Sequence, residues 1–92
     1  MDHMKLVVTV VGLDRVGITA GVATTLAENE VNIVSINQTI LDGMFNMIMM
    51  CEASDASDLE HIQQALAKVG DALGVQVRAQ HADIFLSMHR VG

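Results

Sequence analysis

One stretch of the 92-residue chain combines residue types and spacing suited to chemistry: Gly12-Leu13-Asp14-Arg15-Val16-Gly17-Ile18. Two glycines bracket an acid and a base where a β-branched run gives way to a helical pattern. A glycine turn entering a helix presents backbone N–H groups without intrahelical partners at the positive end of the helix dipole. That end receives a carboxylate or another small anion. The spacing is neither G-x-G-x-x-G nor a Walker loop, which argues against a nucleotide. Asp14 suits a plain turn whose N–H groups its carboxylate accepts from. Arg15 reads as a solvated loop charge. Asn32, at the start of a later β-branched segment, suits local backbone groups.

Other reactive side chains lead nowhere. Met44, Met47, Met49 and Met50 share one segment, and thioethers suit Cu(I). Strand alternation, however, puts Met47, Met49 and Cys51 with Phe45 on one face and Met44 and Met50 on the other, which is core filling. His3, His61, His81 and His89 lack ligand spacing, and Cys51 has no C-x-x-C partner. No nucleophile, base and orienting group stand at a recognised spacing. The expectation is a non-catalytic protein with no metal and no cofactor.

The elements that must position the glycine loop follow from periodicity. Lys5–Val11 reads as a strand, and Ile18, Val22 and Leu26 recur at helical spacing over Ile18–Glu30. Val31–Leu41 is a second strand. Asp42-Gly43 is a type I′ dipeptide, so Met44–Ala53 returns antiparallel to it. Ser57-Asp58-Leu59-Glu60 fits a capping box with Ser57 at the N-cap. Leu59, Ile62, Leu66, Val69 and Leu73 then form one apolar stripe, ended by Gly74. Gly70 inside that helix has no sequence rationale. Val75–Ala82 alternates as a fourth strand, and Asp83 opens a short helix carrying Ile84, Phe85, Met88 and Val91.

The order β-α-β-β-α-β with right-handed crossovers is the split βαβ, an α+β ferredoxin-like sandwich with a short C-terminal helix. Strands one and three take the centre and strands two and four the edges. Residues 4–82 form the core of one domain spanning 1–92, with the added helix at 83–91. Gln38 points from an edge strand, toward a seam or toward solvent. The face away from the helices should show Val7, Thr9, Val11, Ile48 and Met50, a contact surface for the terminal helix or a second subunit.

Composition bounds the partners. Apolar residues make up 51% and charged residues 17%, the latter below the usual value of about 25%. So small a chain buries little of its surface alone, which points to burial shared in a homodimer. Five basic residues stand against eleven acidic ones, and Phe45 and Phe85 are the only aromatics. That excludes the basic footprint and stacking platforms of nucleic-acid binding. The longest apolar runs fall far short of a membrane span, and the N-terminus lacks a signal-peptide pattern. With one cysteine, a cytoplasmic protein is expected.

Gly12-x-Asp14-Arg15-x-Gly17-Ile18, Leu26-Ala27, Val31-Asn32-Ile33 and Gln38 together resemble the ACT domain. The likeness is closest to ACT domains of the glycine-cleavage repressor and formyltetrahydrofolate deformylase type. With the Asp42-Gly43 hairpin and the tail from Ile84-Phe85 to Met88, the chain looks like the small stand-alone ACT proteins of bacteria and archaea. The resemblance implies a non-catalytic regulatory module that pairs through strand edges or helices and binds a small amino acid or related metabolite at the interface. In the family the glycine loop and the Asn of the N-I pair frame that ligand. Carried over, they imply Gly12, Asp14, Arg15, Gly17, Ile18 and Asn32 here. Val16 departs from the proline of D-R-P-G-I. The alternative is a dimeric module that docks a partner enzyme or regulator without any small molecule. An enzyme of the acylphosphatase kind has its residue types in Arg15 and Asn32 or Asn37, but not its motif.

Overall fold

The alternating run Leu6, Val8, Val10 and the facing run Phe45, Met47, Met49, Cys51 meet as the two central strands of a four-stranded sheet. The computed structural model describes residues 3–54 and 56–83. Over these, the order is β1 (His3–Leu13), α1 (Ile18–Glu28), β2 (Asn32–Leu41), β3 (Met44–Ser54), α2 (Leu59–Leu73) and β4 (Val75–His81). The sheet order is β2-β3-β1-β4 with every neighbouring pair antiparallel, the expected ferredoxin-like arrangement. Asp42 and Gly43 both take positive φ, 51° and 78°, as the tight hairpin requires.

Both helices cover one sheet face. Ile18, Val22 and Leu26 of α1 and Ile62 and Leu66 of α2 pack on Leu6, Val8, Val10, Met47 and Met49. Each such side chain contributes roughly 1.5–3 kcal/mol by leaving water. Phe45, Met47, Met49 and Cys51 are buried together, while Met44 and Met50 lie on the other face, so the methionines fill space.

Several sequence expectations shift at element ends. β1 runs on through Gly12 and Leu13, which were expected in the loop. At Gly12 a Cβ would stand 2.6 Å from Val75 Cγ1, so glycine permits the close β1–β4 approach. α1 stops at Glu28 rather than Glu30, because Asn29 caps it and Glu30 turns to φ 59°. The N-cap of α2 is Asp58, not Ser57. The Asp58 carboxylate accepts from Glu60 N–H at 3.0 Å. Gly70, unexplained by sequence, packs against β4, where a Cβ would lie 2.8 Å from the Val75 carbonyl oxygen. On the face away from the helices Val11 is exposed as expected, but Val7 is buried. The expected C-terminal helix lies, beyond Asp83, outside the described residues. No helix among the described residues is long and apolar enough to cross a membrane.

Candidate functional site

Four residues, Asp14 to Gly17, carry the chain from β1 into α1. Gly17 is the N-cap of α1 with φ 96°, a left-handed conformation that a residue with a Cβ adopts only under strain. It supplies no side-chain cap, and the first turn holds no acidic residue. The first helical bond runs from Gly21 N–H to Gly17 C=O at 2.8 Å, so the amides of Ile18, Thr19 and Ala20 precede the ladder. The space above Gly17 is open, with no atom within 4 Å of where a Cβ would point. An uncapped, positively polarised helix end therefore faces free volume.

Two bonds hold the loop in place. Asp14 N–H donates to the Gly43 carbonyl at 2.8 Å, tying the loop to the β2–β3 hairpin. The Arg15 guanidinium donates to the Leu73 carbonyl at 3.2 Å, at the last turn of α2. A cation at a helix C-terminus is favoured by the dipole and satisfies an orphan carbonyl. Arg15 thus serves the fold by joining the start of α1 to the end of α2.

The six residues implied by the family resemblance divide. Asp14, Arg15, Gly17 and the backbone of Ile18 gather at one end of the sheet. The Ile18 side chain is in the core, so only its amide is available. Gly12 belongs to β1 and to the contact with Val75. Asn32 is elsewhere. It pairs with Glu52, whereas the loop end of the sheet is marked by Leu41 opposite Met44. Eight residue steps along β3 separate those rows, about 27 Å at roughly 3.4 Å per step. Within one chain Asn32 and the loop are not brought together.

Two further polar groups stand beside the loop. The Thr19 hydroxyl, in the first turn of α1, donates to Gln38 Oε1 of β2 at 3.3 Å and lies 4.0 Å from Met47 Sδ. Gln38 carried part of the family resemblance, but Thr19 had no signal of its own. Its position in the first helical turn was the available clue. Around them, β2 leaves Val34, Ile36, Ile40 and Leu41 exposed, and Leu13 and Val16 are exposed at the loop. Nothing nearby suits covalent chemistry. Cys51 is buried, which raises its thiol pKa to about 11, and among the described residues no three His, Cys, Asp or Glu cluster as metal ligands.

Residues 4–80 match the model of the ACT domain family. A UPF0237 protein of Methanocaldococcus jannaschii is 50% identical over 88 residues, covering 95% of this chain and 98% of that protein. Among solved structures, an ACT domain protein from Streptococcus pneumoniae superposes with a TM-score of 0.82 at 37% identity, covering 91% of this chain and 96% of that one. A putative glycine cleavage system transcriptional repressor superposes with a TM-score of 0.79 at 22% identity, over 89% of this chain and 47% of that one, a likeness of fold alone.

Proposed function

The chain belongs to the ACT domain family, and we propose that it acts there as a non-catalytic, cytoplasmic regulatory homodimer binding a small amino acid or related metabolite at the subunit interface. The observation that carries this reading is the outer edge of β2. Ten residues, Asn32–Leu41, form a strand with no proline and no charge and, among the described residues, no partner on that side. Edge strands left free are normally guarded by lysine, proline or a strong bulge. Here the only irregularity is at Val34, which leaves Ser35–Leu41 continuous and flanked by exposed Ile36 and Ile40.

A two-fold axis near the middle of β2 pairs two such edges antiparallel and continues the sheet across both chains. Antiparallel pairing reverses one strand against the other. Asn32 of the partner subunit then comes to the Leu41 end, beside the hairpin that holds Asp14. The two candidate anchors, 27 Å apart in one chain by the approximate strand rise, meet only in the dimer.

In that arrangement the ligand carboxylate meets the amides of Ile18 and Thr19 at the uncapped start of α1. Its ammonium is held by the Asp14 carboxylate and by the side-chain oxygen of Asn32 of the partner subunit. Thr19 and Gln38 border the position of the ligand side chain. Affinity is modest, because so small a ligand gains at most about 1.5 kcal/mol per heavy atom. Calorimetry with single amino acids on the parent and on Asn32→Ala tests this. The expected result is binding by the parent, weakened by about 1.5–3 kcal/mol in the variant. Equal binding by both places the site elsewhere.

Leu13 at 71% exposure and Val16 at 97% favour a second reading. Two apolar side chains in water beside the loop suit docking of a partner enzyme or regulator by a dimer without a ligand. Absence of amino-acid binding at millimolar concentration selects it.

A further inference from the structure

Strand register fixes which backbone groups β2 offers at its outer edge. The Asp14 amide bonds to the Gly43 carbonyl, so along β3 the odd-numbered residues turn their backbone groups toward β1 and the even-numbered ones toward β2. Leu41, Thr39 and Asn37, opposite Met44, Asn46 and Ile48, are therefore bonded to β3. Ile36, Gln38 and Ile40 alternate with them and aim their N–H and C=O groups outward. The side chains of these three lie on the helix side of the sheet, opposite Met49, Met47 and Phe45 of the core. The far edge differs. In β4 the Ala79 carbonyl accepts from Gln63 Nε2 of α2 at 2.8 Å.

A two-fold axis that continues the sheet stands perpendicular to it, so each residue of β2 meets a residue of the same face. Given the pairing of β2 edges above, on which this inference rests, we propose that the axis passes at Gln38 and that Gln38 faces Gln38 of the partner subunit. The segment Ile36-Asn37-Gln38-Thr39-Ile40 is nearly symmetric about that residue. Ile36 then meets Ile40 of the partner subunit on either side, and all three outward residues exchange both backbone bonds. An axis at Asn37 or Thr39 sets one of the three against the irregularity at Val34 or the turn at Asp42, and Gln38 against an isoleucine. The Gln38 side chain suits the axis. Its Oε1 accepts from the Thr19 hydroxyl at 3.3 Å, which leaves a second lone pair and, among the described residues, both Nε2 protons free. Across the axis each amide donates to the other's oxygen. Thr19 lies in the first turn of α1, so this pair joins the starts of the two α1 helices, where the two candidate ligand sites lie.

Asn37→Cys, Gln38→Cys and Thr39→Cys, each in a full-length Cys51→Ala chain, measure the register. Cys51 is kept if that chain does not fold, since it is buried. Facing residues of a hydrogen-bonded pair stand about 5.5 Å apart at Cα, within disulfide reach. Under copper-phenanthroline oxidation Gln38→Cys is expected to form the covalent dimer about tenfold faster than the other two, whose thiols stand on a diagonal. Faster cross-linking of Asn37→Cys or Thr39→Cys would overturn the axis at Gln38 and leave the β2 pairing standing. No cross-link in any of the three, or a parent that is monomeric by light scattering, would overturn both. The amide pair has its own readout. Gln38→Glu and Gln38→Lys should each weaken dimerisation about tenfold, because like charges then face each other, and an equimolar mixture should recover the parent's affinity. Gln38→Glu dimerising as tightly as the parent would overturn the amide pair.

Discussion

Asp14 and Asn32 stand at opposite ends of one sheet: the Asp14 amide is bonded to Gly43 in the hairpin after β2, while Asn32 begins β2 opposite Glu52. A zwitterionic ligand needs an anion site and a cation site close together. One chain supplies the first at the start of α1, with one acid beside it, and leaves the amide side chain far away. Any site using both Asp14 and Asn32 is therefore built from two chains.

Mixed dimers give a direct consequence. On the proposed dimer, Asp14→Ala and Asn32→Ala should each impair both sites of their own homodimers. In a dimer with one chain of each kind, one site carries both substitutions and the other carries neither. Co-refolding the two variants should restore binding at one site per mixed dimer, read by calorimetry as half the parent stoichiometry at parent affinity. A site confined to one chain would show no such recovery.

Gly70→Ala should destabilise the fold although alanine is the better helix former by up to about 1 kcal/mol. The added methyl group would stand 2.8 Å from the Val75 carbonyl oxygen and 3.1 Å from Val77 Cγ2. Overpacking of this kind costs about 1–3 kcal/mol, which urea denaturation resolves.

The two candidate caps of α2 separate cleanly. Asp58→Ala should cost about 0.5–2 kcal/mol, because the bond to Glu60 N–H is lost. Ser57→Ala should change stability by no more than about 0.5 kcal/mol. Equal effects would restore Ser57 to the cap.

Cys51 is buried in the core, and burial raises its thiol pKa from 9.0 to about 11. A thiol-specific reagent near neutral pH should label it only after denaturation. Because the unfolded thiol ionises first, the unfolded chain holds fewer protons than the folded one between about pH 9 and about pH 11. Stability should therefore fall as pH rises through that window. Cys51→Ala should remove that part of the decline.

The fold was legible because the buried alternation in β1 and β3 and the Asp42-Gly43 turn agree with one another, and each constrains where the next strand goes. The stripes Ile18-Val22-Leu26 and Ile62-Leu66 gave the helix faces for the same reason. Element ends were less legible. Asp58 and Ser57 are both good caps, and the choice depends on which carboxylate or hydroxyl reaches an amide, a matter of one residue of backbone path. Gly12 and Gly70 look alike in sequence to glycines of a loop and a helix break. Their reason is the nearness of Val75, a tertiary contact. In the site, the Gly17 conformation was readable from its place before a helix. Arg15 was not, since its partner, the Leu73 carbonyl, is 58 residues away. The separation of Asp14 from Asn32 followed only from strand register.

The pairing of β2 edges is the central claim, and light scattering at micromolar concentration tests it most directly. Ile36 and Ile40 are exposed on β2, so charging both leaves the core untouched. The parent should have the mass of a dimer. Ile36→Lys combined with Ile40→Lys should have the mass of a monomer, with unchanged circular dichroism. A monomeric parent, or a double variant that remains a dimer, would contradict the account.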